Sequence, residues 1–261
     1  MSSTTIIYIL IIIFANTLGA VSGMGGGIII KPAMDFINHD SLNNINFFST
    51  VAVLTMSIVS IYRQSHAGIK INKKTSLVLA AGSILGGLLG SEILQAFIKY
   101  SSSSKEVSIG QTVITIAVLL IILINSLWPH KNLSIKKPYY YFFSGLFLGT
   151  ISSGLSIGGG PMNTALLVFL FSTPIKSANL YSLVIIFFSQ ATNLLTLGLK
   201  THGFHGYKTD LLIYIIPAAI IGGLLGSALA KKLPNRLIQK LFIVMVSGII
   251  LLNIYNLSQL I

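Results

Sequence analysis

The sequence predicts an all-α polytopic membrane protein built from two inverted repeats of about five helices each, with a broken helix in each repeat. Three observations predict this architecture: an apolar composition, a glycine triplet that occurs twice, and an uneven distribution of basic residues among the loops. Of the 261 residues, 53% are hydrophobic and 8% are charged, and the mean hydropathy is +0.85. A soluble domain carries about 25% charged residues. The apolar runs are continuous rather than alternating, which favours helices over a β-barrel.

Charge and cysteine content exclude several classes of function. The chain has 17 Lys and Arg against 5 Asp and Glu, a formal charge of +12, and no cysteine. Disulfides and Cys-ligated metals are therefore excluded. The basic residues lie in short loops between apolar segments, which is the pattern of membrane topology rather than of nucleic-acid binding. We therefore expect the lipid bilayer as a partner, and neither nucleic acid nor a cofactor.

The first repeat, residues 1–132, contains five apolar segments, and a glycine triplet, Gly25-Gly26-Gly27, separates the first two. The segments are residues 5–24, 28–38, 45–62, 76–98 and 109–128, the last ending at Trp128-Pro129. The first segment could be a signal peptide, but no Lys or Arg precedes Lys31, so the charged n-region is missing and we interpret it as a span. Glycines at 86, 87 and 90 of the fourth segment let helices approach closely.

The second repeat, residues 133–261, follows the same plan around a second triplet, Gly158-Gly159-Gly160. Its segments are residues 139–157, 161–171, 178–198, 211–230 and 237–257. Gly158 lies 133 positions after Gly25, and Ser182 lies 133 after Ser49. The hexapeptide GGLLGS occurs at 86–91 and again at 222–227, 136 positions later. Landmarks in one order at nearly one offset indicate a duplication.

The loops leave two topologies open. If the helices after the triplets only dip into the membrane, each half has four spans and the halves are parallel. Nine basic residues then lie on the inside of the membrane and eight on the outside. If those helices cross, each half has five spans and the second half is inverted. Twelve basic residues then lie on the inside and four on the outside, with Lys31 in a broken helix. The positive-inside rule favours ten spans with both termini outside. The post-triplet helices reach only about 21 Å, less than a core of about 30 Å, so we expect them to start near mid-membrane.

The triplets are the candidate binding site. Glycine lets the backbone break and be approached closely, and a proline follows each triplet, at Pro32 and Pro161, where a helix start tolerates it. Helix N-termini leave N–H groups unpaired and carry about half a positive charge. Two such ends related by a pseudo-twofold axis would face one cavity and hold a small anion. The alternative is that the glycines only permit close helix packing.

Other polar residues near the triplets complete the candidate site. Besides the six triplet glycines, the substrate-binding candidates are Lys31, Ser49, Asn163, Thr164, Ser182, Gln190 and Asn193. Gln190 and Asn193 share a helix face at i, i+3, where they could line the cavity or bond to a neighbouring helix. Lys31 either adds to the anion site or snorkels to the cytoplasmic interface.

Asp35 and Glu92 are acids that could carry a proton, although each is placed near an interface. His202 and His205 lack a third ligand, so we expect no metal site.

The segments SGMGGGIIIKP and IGGGPMNTALLVFLFS, the latter followed by KSANLYSLVIIFFSQATNLL, resemble the two signature regions of the sulfite exporter TauE/SafE family. The resemblance covers nearly the whole chain. It implies a multi-pass permease of the bacterial inner membrane that exports small sulfur-containing anions such as sulfite, sulfonates or sulfoacetate. The halves differ, because the first has Lys31-Pro32 where the second has Pro161 directly after its triplet.

A secondary transporter of such anions is therefore the expected function, with protons as a candidate coupling ion and a homodimer as a candidate assembly. An anion channel, or a carrier for another small anion such as a carboxylate, is the alternative. We expect no enzymatic activity, because five acids, five histidines and no cysteine provide no catalytic constellation inside the membrane. A scaffold protein has no need of a duplicated break.

Overall fold

The computed structural model describes residues 3–69, 71–101, 103–127, 133–135, 137–156 and 159–260. These ranges hold ten α-helices and no β-strand. The helices are α1 (Ser3–Ser22), α2 (Gly27–Ile37), α3 (Leu42–His66), α4 (Lys73–Tyr100), α5 (Ser104–Leu127), α6 (Pro138–Gly154), α7 (Gly160–Phe171), α8 (Ile175–Lys200), α9 (Leu212–Lys232) and α10 (Asn235–Leu260). The prediction of an all-α protein with five helices on each side of the chain midpoint is confirmed. Trp128-Pro129 and the boundary after residue 132 lie outside the described residues.

Local sequence signals account for several helix starts. Ser41 precedes α3 and accepts a hydrogen bond from the backbone N–H of Asn44. Asn72 precedes α4, and its side chain accepts from the N–H of Lys74 at 2.9 Å. Such side chains satisfy N–H groups that have no partner within the helix. Pro138 occupies the first position of α6, where its missing N–H removes nothing.

Helix length separates the spanning elements from the short ones. Seven of the described helices are long and apolar enough to cross a membrane: α1, α3, α4, α5, α8, α9 and α10. The two helices that follow the triplets have 11 and 12 residues, which is about 16–18 Å at 1.5 Å per residue. Because a bilayer core is about 30 Å thick, α2 and α7 are too short to cross it. The interpretation of ten full spans therefore does not hold for these two helices.

Each short helix turns back along the helix before it. Tyr8, near the start of α1, donates to the carboxylate of Asp40, just after α2, at 2.9 Å. In the second half, the N–H groups of Leu133 and Ile135, before α6, donate to the carbonyls of Phe169 and Leu170, at the end of α7, both at 2.9 Å. Thus α1–α2 and α6–α7 are two hairpins, each with both of its ends at one end of the helix bundle.

The two ends of the bundle differ in charge. The first, which we call the acidic end, holds the start of α1, the connections α2–α3, α4–α5 and α8–α9, and the end of α10. All five acidic residues of the sequence lie toward it: Asp35, Asp40, Glu92, Glu106 and Asp210.

The opposite end, the basic end, holds the connections α3–α4, α7–α8 and α9–α10 and the start of α6. Twelve of the 17 basic residues belong, by sequence, to its connecting segments and the adjoining helix turns. Three of the twelve, Lys70, Lys131 and Lys136, lie outside the described residues.

Glycines hold the two halves together at matching places. Helix α4 packs along α6, and α9 packs along α1, while α3 and α8 lie between them. A Cβ atom on Gly86 of α4 would lie 2.1 Å from the carbonyl oxygen of Leu146, and one on Gly226 of α9 would lie 2.2 Å from that of Thr17. Only glycine permits such backbone contact. The repeated GGLLGS hexapeptide is therefore a helix-packing element.

Candidate functional site

Both glycine triplets are helix breaks. Helix α1 ends at Ser22 and α2 begins at Gly27, with Gly25 at φ +69° between them. Helix α6 ends at Gly154 and α7 begins at Gly160, with Gly159 at φ +58°. These left-handed values favour glycine, which has no Cβ to clash. The predicted breaks are present, although Gly158 lies outside the described residues.

The two breaks touch each other. A Cβ atom on Gly160 would lie 1.7 Å from the carbonyl oxygen of Met24, so the start of α7 rests directly on the backbone of the first break. Thr164, one turn into α7, donates to the Ser22 carbonyl at 3.5 Å. The sequence predicted two helix starts facing a shared cavity. Instead, the missing side chains let the backbones meet, and no space for an anion separates Gly160 from Met24.

Ser49 and Ser182 bind the breaks in a symmetrical way. The hydroxyl of Ser49 on α3 donates to the Ser156 carbonyl at 3.0 Å, and that of Ser182 on α8 donates to the Gly23 carbonyl at 2.6 Å. The two donors, Ser49 and Ser182, are 133 positions apart, and so are the two acceptors, Gly23 and Ser156. Each serine therefore satisfies a carbonyl that the opposite half of the chain leaves free where its helix ends.

Buried amides around the breaks have atoms without partners. Within the part of the chain that the structure describes, these atoms are the side-chain oxygens of Asn16, Asn179 and Gln190 and both polar side-chain atoms of Asn46 and Asn163. A Cβ atom on Gly26 would lie 1.9 Å from the Asn16 oxygen, and one on Gly159 would lie 3.4 Å from that of Asn163. Because a buried polar atom without a partner is unfavourable, such a cluster indicates a place for water or a polar ligand.

A small cavity reaches the second break. It has a volume of about 50 Å³, and its lining includes Asn46 and Thr50 of α3, Ser156 of the break, and Asn193 of α8. It adjoins a wider vestibule of about 540 Å³ at the acidic end, and the two share five lining residues: Asn43, Gln95, Ile98, Leu197 and Tyr207. A path thus leads from the acidic end to broken backbone inside the protein, lined by polar and apolar side chains.

The vestibule carries charge of both signs. Lys99 and Lys200 line it, as does Glu92, whose carboxylate lies 2.5 Å from the Lys200 ammonium. The Glu92 and Lys200 side chains are 58% and 41% exposed, so water screens this pair strongly. Because Glu92 balances only Lys200, the additional charge of Lys99 makes the net charge of the vestibule positive.

Side chains cover the first break on the side of the basic end. Gln64, near the end of α3, donates to the Ala20 carbonyl at 2.9 Å. Asn179 of α8 donates to the Val21 carbonyl at 3.1 Å. Asn179 lies 133 positions after Asn46, so the two residues occupy equivalent positions in the two halves. Asn46 lines the small cavity beside the second break, whereas Asn179 covers the first break.

Lys31 is buried, with 4% of its surface exposed. Its ammonium donates to the side-chain oxygen of Gln111 on α5, and the Gln111 amide donates to the Gly154 carbonyl at 3.1 Å. Neither alternative drawn from the sequence describes this position. The side chain does not reach an interface by snorkelling, and it is not among the residues that line the small cavity.

Of the remaining candidates, Asn193 lines the small cavity, whereas Gln190 donates to the Ser152 hydroxyl at 3.0 Å and so makes an interhelical bond. Asn46, Asn179 and Gln111 were not among the residues predicted from the sequence. The offset of 133 that relates Ser49 to Ser182 also relates Asn46 to Asn179, and could have identified that pair. Nothing in the sequence connects Gln111 to Lys31, 80 positions away.

Asp40 joins three parts of the acidic end. Its carboxylate accepts from Lys208 at 2.6 Å and from Tyr8 at 2.9 Å. Partial burial raises the pKa of Asp40, but the hydrogen bonds from Lys208 and Tyr8, with the charges of Lys208 and His39, outweigh this and hold the pKa below its ordinary value. The carboxylate therefore stays ionised at neutral pH and ties the α2–α3 connection to the α8–α9 connection.

Replacing Asp40 by Asn is expected to lower the Tm in detergent by a few degrees at neutral pH. Because the native pKa is lowered, the stabilisation by the carboxylate is complete above its unfolded pKa of about 3.9 and is lost as pH falls through the native value. The difference between wild type and Asp40→Asn should therefore shrink as the thermal melts are taken to acid pH. A difference that grows in acid would contradict this assignment.

Comparisons with known proteins agree with this picture. The family description "Sulfite exporter TauE/SafE" matches residues 8–252. The chain is 28% identical over 274 aligned positions, covering 95% of each sequence, to "Probable membrane transporter protein YunE" of Bacillus subtilis (strain 168). No solved structure matches. The match across nearly the whole chain, together with the helical membrane architecture and the paired breaks, shows that this protein belongs to the sulfite exporter TauE/SafE family of membrane transporters.

Proposed function

We propose that this protein is a secondary transporter that exports small sulfur-containing anions, such as sulfite or sulfonates, across the bacterial cell membrane. The observation that carries the proposal is the small cavity, lined in part by Asn46, Thr50 and Asn193, that reaches the second break from the acidic end. The family supports transport of this class of anion, and the cavity supports a location for it. The transported anion would lie among Asn46, Thr50 and Asn193, beside Ser156 of the second break.

The cavity favours a small anion held by neutral donors. Asn46 carries an unpartnered amide nitrogen, and Thr50 and Asn193 add a hydroxyl and a second amide to the lining. The cavity, with a volume of about 50 Å³, has room for one anion with few heavy atoms. This size favours sulfite over an extended sulfonate such as sulfoacetate in the conformation seen.

Orientation follows from the two ends of the bundle. The end with twelve basic residues would be cytoplasmic by the positive-inside rule, which puts both termini outside. Because α1 starts at the acidic end and α6 starts at the basic end, we propose that residues 1–132 and 133–261 are inverted repeats. Each would consist of one re-entrant hairpin and three crossing helices. Twelve basic residues then lie on the cytoplasmic side and four on the outer side, which is the distribution predicted for inverted repeats.

A carrier is favoured over an anion channel. The small cavity opens toward the acidic end, whereas Gln64 and Asn179 cover the first break on the side of the basic end. Access from one end at a time is what alternating access in inverted repeats requires. Protons are the proposed coupling ion and a homodimer the proposed assembly. Transport of a carboxylate is the alternative substrate assignment.

The test is a thermal-shift panel on the purified protein with sulfite, sulfate, thiosulfate, sulfoacetate, taurine and carboxylates. A ligand that binds only the folded state at about 100 times its Kd stabilises it by about 2.7 kcal/mol. We expect a small sulfur anion to raise the Tm of the wild type and to have no effect on Gly159→Leu, in which a side chain fills the second break.

Gly248→Leu is the matched control, because a Cβ atom at this α10 position meets nothing within 4 Å. It should respond to sulfur anions like the wild type. Stabilisation by carboxylates alone would replace the sulfur assignment by the alternative. Equal stabilisation of Gly159→Leu and the wild type would remove the second break from the binding site.

A further inference from the structure

A second polar cavity opens at the acidic end, between α2, α5 and α10. Its volume is about 400 Å³, and its lining includes Asp35 and Asp40, Lys105, Tyr255 and Asn256. It shares no lining residue with the small cavity at the second break. Asp35, in the last turn of α2, is half-buried and contributes to the lining of this cavity.

Lys31 connects Asp35 to the second break. The two residues lie four positions apart on α2, so their side chains are on one face, one turn apart. The Lys31 ammonium donates to Gln111, which donates to the Gly154 carbonyl where α6 ends. Two residues further on, Ser156 lines the small cavity. Asp35 therefore lies one helix turn from a lysine that two hydrogen bonds join to the backbone beside the proposed anion site.

The charges around Asp35 make it the natural counter-ion of Lys31. The hydrogen-bond partner of the buried ammonium, Gln111, is neutral, and a buried charge needs an opposite charge nearby. Asp40 is already bound by Lys208 and by Tyr8 of α1. The other ionisable side chains on this cavity, Lys105 of α5 and Tyr255 of α10, carry no carboxylate.

We propose that Asp35 is the proton-binding site of the transporter, and that Lys31 and Gln111 couple its protonation to anion binding at the second break. This inference rests on the proposed function. A hydronium ion in the 400 Å³ cavity gives a proton to the Asp35 carboxylate, which forms an O–H bond and leaves water. The ammonium of Lys31 then has no counter-ion, so an anion beside Ser156 supplies the balancing charge. Proton and anion are therefore bound and released together.

The expected result is a pH-dependent affinity for anions. With one linked proton, the Kd of the wild type should rise by up to about tenfold per pH unit as Asp35 ionises. Thiosulfate and sulfate are suitable probes because their own charge stays constant between about pH 4 and pH 9, which covers the titration of solvated and of buried carboxyl groups. In Asp35→Asn, which resembles the protonated side chain, the affinity should stay high and lose its pH dependence.

Asp210→Asn, which removes an exposed acid at the same end, is the matched control and should keep the wild-type slope. Lys31→Gln is a second variant, for which affinity should be low at every pH. In liposomes, a thiosulfate gradient should change the internal pH with the wild type and not with Asp35→Asn. An unchanged slope in folded Asp35→Asn would overturn this inference and leave the proposed function intact. A wild type that binds neither probe at any pH would contradict the proposed function itself.

Discussion

Replacing Gly160 by alanine is expected to slow transport strongly, although the change adds one methyl group. The added Cβ atom would lie 1.7 Å from the carbonyl oxygen of Met24 and 1.8 Å from its carbonyl carbon. Both are backbone atoms, so no side-chain rotation can relieve the clash. The two breaks must move apart, which shifts the start of α7 and the segment ending at Ser156 beside the small cavity.

The size of this effect can be bounded. Over-packing of a tight contact destabilises by about 1–3 kcal/mol. If the clash raises the barrier to transport by the same amount, the rate falls by about one to two powers of ten. The measurement is anion flux into proteoliposomes, with the amount of folded protein checked by size-exclusion chromatography.

Gly248→Ala is the control for Gly160→Ala, because it adds the same methyl group at a helix position with no atom within 4 Å. It should leave flux and Tm unchanged. Normal flux through Gly160→Ala would mean that the breaks separate readily during transport, and that their contact has no part in the mechanism.

The sequence predicts the elements well because membrane helices are set by continuous apolar runs. Residues 76–98 were predicted as a span and α4 covers Lys73–Tyr100, while 178–198 was predicted and α8 covers Ile175–Lys200. The differences are the polar helix ends, which hydropathy does not register. The breaks at the triplets were also predictable, because consecutive glycines permit the left-handed values seen at Gly25 and Gly159.

The contacts between elements were not predictable in the same way. A triplet indicates a helix start but not what packs against it, and here the start of α7 packs against Met24 rather than facing a cavity. Lys31 shows the same limit. Its place on a short apolar helix was visible in the sequence, but its burial was not, and its partner Gln111 lies on another helix, 80 positions away.

Replacing Asn46 by leucine is expected to raise stability and abolish transport together. Asn46 lines the small cavity and exposes only 7% of its surface. Neither of its polar side-chain atoms has a hydrogen-bond partner. An unsatisfied buried group destabilises by about 1–3 kcal/mol, so an apolar side chain should increase the Tm by several degrees. Leucine would also fill most of about 50 Å³ and remove an amide donor from the proposed anion site.

Opposite changes in stability and flux are what distinguish a binding residue from a structural one. Functional sites commonly retain groups that destabilise the fold, whereas a structural asparagine should lose stability when replaced. Asn253→Leu is the matched control, because Asn253 is also buried but donates to the Ile249 carbonyl of its own helix, α10, at 2.8 Å. It should keep anion flux near the wild-type level. If Asn46→Leu lowers the Tm and retains flux, Asn46 stabilises the start of α3, and the anion must bind elsewhere along the breaks.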